Sequence, residues 1–307
     1  MLLVLCRDPL EPSRPDRAFE AEVAAVERLG LPYVLVDHDA LVRHDEPDRI
    51  VRRVPPQPES RLAAYRGWMV TPPQYRVLYE ALIAKGIRLI NDPDQYRHGH
   101  YLSENYPVIE GQTPRSLWLT GDLGIDRIMD ALTRFGDGSV IVKDFAKSRK
   151  HEWSEACFIP SAADREAVGR IVGRFLELQG EDLNEGLVFR EFVEFEPIGI
   201  HPRSGMPLTE EYRTFWLDGV PIDWSPYWDE GDGRELRPPI ERFSGVAVAV
   251  RSRFFTMDLA RRRDGEWMIV EVGDGQVSGL PKESDADRFY EGLARAWPEG
   301  PAREAGR

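Results

Sequence analysis

Asp258 and Glu271 are the side chains whose types and spacing most directly suggest chemistry. They lie in two apolar runs flanking Asp264-Gly265. Asp-Gly favours a two-residue type I′ hairpin turn, because both central positions need positive φ. With that turn Arg263 pairs with Glu266, and counting back along both strands sets Asp258 directly opposite Glu271. Facing carboxylates with Cβ atoms roughly 5 Å apart repel in an ordinary sheet. A divalent cation between them reverses the sign, and one or two carboxylates are what magnesium takes from a protein. Met257, Leu259, Val270 and Val272 fall on the opposite face, giving the hairpin a core side and a carboxylate side. A bulged turn would shift the register by one and separate the acids.

Lys143 comes next. In Val140 to Phe145 both strand faces are apolar enough to be covered, so the lysine either snorkels from the strand end or meets an anion. Ala146 to Ser154 follows as a small basic loop with Lys147, Ser148, Arg149 and Lys150, suited to phosphates or simply solvated. Arg97, His98 and His100 cluster further upstream. Two histidines without a third ligand fit a loop or helix start with surface histidines better than a metal site.

Composition bounds these readings. The chain has 307 residues, 42% hydrophobic and 30% charged, the pattern of a globular protein of two or three domains. With 40 Lys plus Arg against 53 Asp plus Glu, the net charge of −13 argues against a nucleic-acid binder. Cys6 and Cys157 form no disulfide framework or cysteine-based zinc site. No apolar run approaches the ~20 residues that span a bilayer, and the apolar start is too short for a signal peptide. A cytoplasmic location is the expectation.

The elements that must hold these residues follow from periodicity. Residues 1 to 92 alternate strands (Met1 to Cys6, Pro32 to Val36, Ala63 to Val70, Ile87 to Ile90) with helices (Asp16 to Leu29, then one capped by Thr71), implying a parallel sheet. Asn91-Asp92-Pro93 signals a turn. Helices follow over Asp122 to Phe135, Asp164 to Gln179, Pro239 to Val250 and Ser284 to Trp297. Gly186 to Glu196 is a strand running into a linker. Tyr212 to Trp224 is a second hairpin about Asp218-Gly219, with Pro221 marking an edge or a strand start. Trp224, Tyr227 and Trp228 read as packing or lid residues. No Walker-type loop or dinucleotide fingerprint is present.

Four stretches in this order resemble the ATP-grasp family: Val140 to Lys143, Val188 to Val193, Glu211 to Gly219, and Met257 to Ala260 with Val270 to Val272. The likeness covers about 95 to 285 and resembles a carboxylate–amine ligase of the arginine-containing subgroup. It implies an α/β (α+β) protein: an N-terminal parallel α/β scaffold over 1–94, a lysine and phosphate-loop subdomain over 95–185, a hinge and metal-binding subdomain over 186–297, and a flexible tail over 298–307. It also implies roles. Lys143 contacts ATP phosphates; Ser148 belongs to the loop over them, though the usual glycines are missing. Glu191, Phe192 and Val193 meet the adenine edge, and Glu194 or Glu196 the ribose. Arg213 lies near the transferred phosphoryl group, while Asp258 and Glu271 hold Mg2+. Gly273 stands where the family usually has asparagine, so Asp274 or Gln276 becomes the third oxygen donor. The family's first lysine is also absent, and Arg97 or Arg115 replaces it.

The implied reaction is ATP-dependent activation of a carboxylate as acyl phosphate, then attack by an amine of an amino acid or peptide, releasing ADP and phosphate. Positioning and charge stabilisation suffice for the first step, so no general-base histidine is needed. One rival is a nucleotidyl- or phosphotransferase, or a nucleic-acid ligase, with Lys143 as covalent nucleophile or phosphate contact; only the 147–150 cluster is basic enough to help it. The other is a non-catalytic scaffold, which would leave the acid pair as plain repulsion. The acid and amine substrates and the oligomeric state have no readable motif.

Overall fold

The computed structural model describes residues 1–229 and 236–298, so most of the tail expected over 298–307 lies outside the described residues. The first sheet is parallel, in the order β2-β1-β3-β4, from Leu2–Cys6 (β1), Tyr33–Val36 (β2), Arg61–Arg66 (β3) and Ile87–Leu89 (β4). All five residues of β1 are buried, as a continuous apolar run covered on both faces requires. The expected helices form between these strands. Thr71 closes a capping box with Gln74, Pro72 takes the first turn, and the helix runs Pro72–Ile83. Asn91-Asp92-Pro93 is more than a turn: Asp92 caps a helix, Pro93–His100, with Gln95 as its box partner.

The second sheet, β5-β8-β6-β7, is antiparallel and built from Ser116–Thr120 (β5), Val140–Lys143 (β6), Phe158–Ile159 (β7) and Gly186–Glu191 (β8). A two-stranded ribbon, Pro197–Ile200 (β9) with Pro207–Thr209 (β10), follows. The third sheet runs β12-β11-β13-β14, from Glu211–Leu217 (β11), Val220–Pro226 (β12), Phe254–Arg261 (β13) and Trp267–Asp274 (β14). Asp218 and Gly219 turn β11 into β12 with φ of 50° and 77°, both in the left-handed region a type I′ turn demands. Pro221 lies on β12, the sheet edge, where its missing N–H breaks no ladder.

The β13–β14 hairpin corrects the expected turn. Arg262 N–H bonds to Glu266 C=O at 2.7 Å, and the loop holds three residues, Arg263 to Gly265, with Gly265 at φ +89°. This is the three-residue hairpin that ends in a left-handed glycine, not a two-residue I′ turn. Near the turn the register is therefore one off: Leu259 pairs with Ile269. A shift between Asp258 and Leu259 leaves Val270 as an extra residue and restores the pair Asp258 with Glu271. The bulge also changes the core face, because buried Ile269 takes the place expected for Val270.

Candidate active site

One cavity of about 390 Å³ lies where the second and third sheets meet. β6 and the loop after it contribute Lys143, Ser148 and Lys150, and the end of β8 with its continuation contributes Arg190 to Phe195. β13 and β14 contribute Asp258, Val270 and Glu271. Lys143 is almost wholly buried, and its ammonium donates to the carboxylate of Glu271, 128 positions away. Arg213, opposite Asp258 in the β11–β13 ladder, clamps it with Nε at 2.9 Å and Nη2 at 2.8 Å. The two facing acids thus each carry their own cation, which removes the repulsion without a third charge between them. Partial burial would raise the pKa of Glu271, but the charge and hydrogen bond of Lys143, helped by Arg190 and Arg213, bring it below the usual range. Burial alone would weaken the Arg213 cation; the charge of Asp258 more than reverses that.

The basic loop is organised by Asp144. Its carboxylate accepts the N–H groups of Ala146 and Lys147, Gln179 Nε2 at 2.8 Å and Asn184 Nδ2 at 3.0 Å. Arg149 is spent on Gln179 and the Leu178 carbonyl, so Ser148, Lys150 and Trp153 are the residues of this loop that line the cavity. Glu191, Phe192, Val193 and Glu194 all line it, as their position along one continuous wall predicts. Phe192 packs against Trp153 and Phe158, with centroids 5.9 and 4.9 Å away. Cys157 adds a neutral thiol, pushed up to about 12 by burial.

Not every expected residue lines the cavity, and Glu196 is among those that do not. Asp274 points the other way and is 1% exposed, bonded to Asn91 Nδ2 at 2.6 Å and to the N–H of Gln276 at 2.9 Å. Residues 271 and 274 have opposite parity on one strand, so they take opposite faces. Gln276 is likewise enclosed, against Tyr75. Arg97 sits over the ring of Tyr101 and pairs with Glu104 and Glu185, because its helix turns that face toward the next helix. Arg115 reaches Glu191 at 3.7 Å but stacks on Phe135 outside the cavity. His98 and His100, expected at the surface, are buried, and burial pushes them down to about 4 and about 3. Arg213 does not line the cavity but touches two residues that do, Asp258 and Tyr227.

Sequence reasoning missed Arg190 and Glu211, and it named Lys150 only as one of three loop cations. Arg190 is 4% exposed and braced by Val270 C=O at 2.6 Å, Thr113 Oγ1 at 2.7 Å and Ser116 Oγ at 3.1 Å. Its signal was an arginine inside an apolar strand, which is costly unless something anionic meets it. Glu211 is pushed up to about 7, first by burial and then by the charge of Asp258.

The donor set fits magnesium in one way. Among the described residues no three His, Cys, Asp or Glu side chains gather as a cage. Two hard carboxylates on one cavity wall match a cation that completes its shell with water and phosphate oxygens. No helix among the described residues is long and apolar enough to cross a membrane.

Among solved structures, D-cycloserine synthetase DcsG aligns over 96% of this chain and 99% of its own, with TM-score 0.60 and 16% identity. A RimK domain protein ATP-grasp from Sphaerobacter thermophilus DSM 20745 aligns over 96% and 100%, with TM-score 0.58 and 13% identity. The ATP-grasp ligase PsnB, complexed with precursor peptide PsnA2 and AMPPNP, aligns over 96% of both chains, with TM-score 0.56 and 12% identity. At such identities the likeness is one of fold. No curated protein matches the sequence. Residues 134–293, just over half of the chain, match the model of the ATP-grasp domain, R-2-K clade family 3, and the chain belongs to that ATP-grasp family.

Proposed function

We propose that this protein is an ATP-dependent carboxylate–amine ligase that forms ADP. It transfers the terminal phosphoryl group of ATP to a carboxylate, and an amine then displaces phosphate from the acyl phosphate. The observation that carries this reading is the convergence of Lys143, Arg190, Asp258 and Glu271 on one cavity inside the family-matched segment. Lys143 and Arg190 would hold phosphate oxygens, with donors fixed in advance by buried partners. Phe192 and Trp153 would flank the adenine, with the backbone of Glu191 to Val193 at its edge and Glu194 near the ribose. Ser148 would sit over the phosphates.

Asp258 and Glu271 would hold Mg2+ once Arg213 and Lys143 turn to the nucleotide and the acyl phosphate. The bound ion supplies charge neutralisation on the phosphates. The apolar wall around Cys157, Val270 and Phe195 excludes water from a reactive acyl phosphate. We divide the chain at 94, 185 and 297 into scaffold, phosphate-loop and hinge-metal units, with β8 of the third unit completing the sheet of the second. A cytoplasmic location belongs to the same reading.

The solved relatives span a small-molecule synthetase and a ligase holding a precursor peptide, so both substrate types belong in the test. The decisive assay is ADP release across amino acids and short peptides, with and without hydroxylamine to trap acyl phosphate. Trapped hydroxamate with ADP supports the proposal. AMP release would point to nucleotidyl transfer, and absence of magnesium-dependent ATP binding to a scaffold.

A further inference from the structure

Lys150 occupies an unusual place for a loop lysine. Its ammonium lies 4.8 Å from the ring centroid of Tyr227 and 4.7 Å from that of Trp228, and donates to Tyr227 Oη at 2.9 Å. The two rings meet edge to face at 71°, so they form two walls of a corner. The carboxylate of Glu211 stands beside it, its Oε2 fixed by Trp228 Nε1 at 3.1 Å and Thr209 Oγ1 at 3.4 Å. The N–H of Tyr227 bonds to the Glu211 carbonyl at 2.9 Å, which ties the rings to the start of β11. Two aromatic faces, one hydroxyl and one carboxylate are the enclosure that selects a compact organic cation.

The enclosure lines the same cavity as Asp258, Glu271 and Lys143. Resting on the ligase reading above, we propose that Tyr227, Trp228 and Glu211 form the subsite that captures the acceptor amine as its primary alkylammonium, which gives one proton to the Glu211 carboxylate before the free amine attacks, and that Lys150 plugs it with its own ammonium. The class follows from the contacts. Tyr227 also carries the Arg213 guanidinium over its ring at 4.8 Å; on the Lys150 side one phenol oxygen, with the Glu211 charge near it, suits the point charge of an ammonium better than a planar guanidinium, which needs acceptors in a fork. The Lys150 ammonium, carried on an unbranched stem, shows what the corner between the rings accepts. On this view the acceptor is an unbranched ω-amine, such as a lysine side chain, and the loop must withdraw Lys150 before the acceptor binds. An ordinary loop tether would use the same contacts, but removing it would open no ligand site.

Isothermal titration of the full chain with n-butylammonium, without nucleotide, separates these. A cation over one aromatic face is worth from about twofold to about thirtyfold in affinity. Lys150→Ala should therefore bind n-butylammonium at least about tenfold tighter than the unaltered protein, which holds its own plug. Adding Trp228→Ala to that variant should return the affinity to the starting value. Lys150→Gln provides a second unplugged protein if circular dichroism shows the alanine variant misfolded. Equal affinity with and without Lys150, or no loss on removing Trp228, overturns the proposal. Because no ATP is present, the two readings fail separately: binding without any ADP release keeps the cage and removes the ligase, and turnover without binding does the reverse.

Discussion

Glu271 and Asp274 leave one strand three residues apart and arrive in opposite electrostatic surroundings. Glu271 meets the Lys143 ammonium and titrates below the usual carboxylate range despite partial burial. Asp274 meets only neutral donors, Asn91 and the N–H and amide of Gln276, and burial pushes it up to about 7. The difference teaches that depth alone does not set the charge of an acid here. A dedicated cation within hydrogen-bond reach outweighs desolvation, and neutral hydrogen bonds do not. An acid kept ionised beside a cation that can change partners is suited to ion binding; an acid held near neutrality in a packed joint is suited to structure.

The contrast can be broken most directly at the paired acids. Asp258→Asn or Glu271→Gln should lower ADP release by at least about a hundredfold, with the circular dichroism spectrum kept. Near wild-type ADP production at saturating magnesium in either variant would show that the pair holds no metal. Arg190→Met should raise KM for ATP by about ten- to a hundredfold, the range of a lost charge-assisted hydrogen bond, and an unchanged KM would take Arg190 out of the nucleotide site.

Asp274 should act on stability rather than turnover, and the sign follows from its raised pKa. As pH rises from 3.8 toward about 7, the unfolded chain releases this proton first. Stability from the protonated acid is thus full below 3.8 and lost as pH climbs to about 7. Glu211 adds the same sign between 4.5 and about 7. Thermal melts of Asp274→Asn across this window should show a flatter decline than wild type while ADP release stays within a few-fold; a parallel decline, or loss of magnesium dependence, contradicts the assignment. The smallest effect belongs to Arg97→Ala. Its two exposed ion pairs are each worth about 1 kcal/mol or less, so KM for ATP should stay within about twofold; a larger rise would restore Arg97 to the site.

Much of the site was legible because it repeats strand arithmetic. Asp258 does face Glu271, yet through two departures from the expected path: a three-residue loop and a compensating bulge at Val270. An Asp-Gly pair fits either loop length, and no local signal marks a bulge. The placement of Asp274 was within reach of the alternation rule, since an odd offset along a strand changes face. Arg190 was hidden because an arginine among apolar residues reads equally as a strand end. His98 and His100 look like surface residues in a polar segment, and only the packing of their helix against its two neighbouring helices and β14 buries them.

By itself the sequence determined the short-range features: the capped helix at Thr71, the left-handed Asp218-Gly219 turn, and the pairing of apolar strands into hairpins. These depend on backbone sterics and on side chains a few residues apart. Tertiary structure alone decided which cation neutralises which acid. Lys143 and Glu271 are separated by 128 positions, and Arg213 and Asp258 by 45. The first pair is set by how two sheets pack and the second by strand pairing within one sheet, because charges attract whichever partner the fold brings within a few ångströms, and chain distance does not enter.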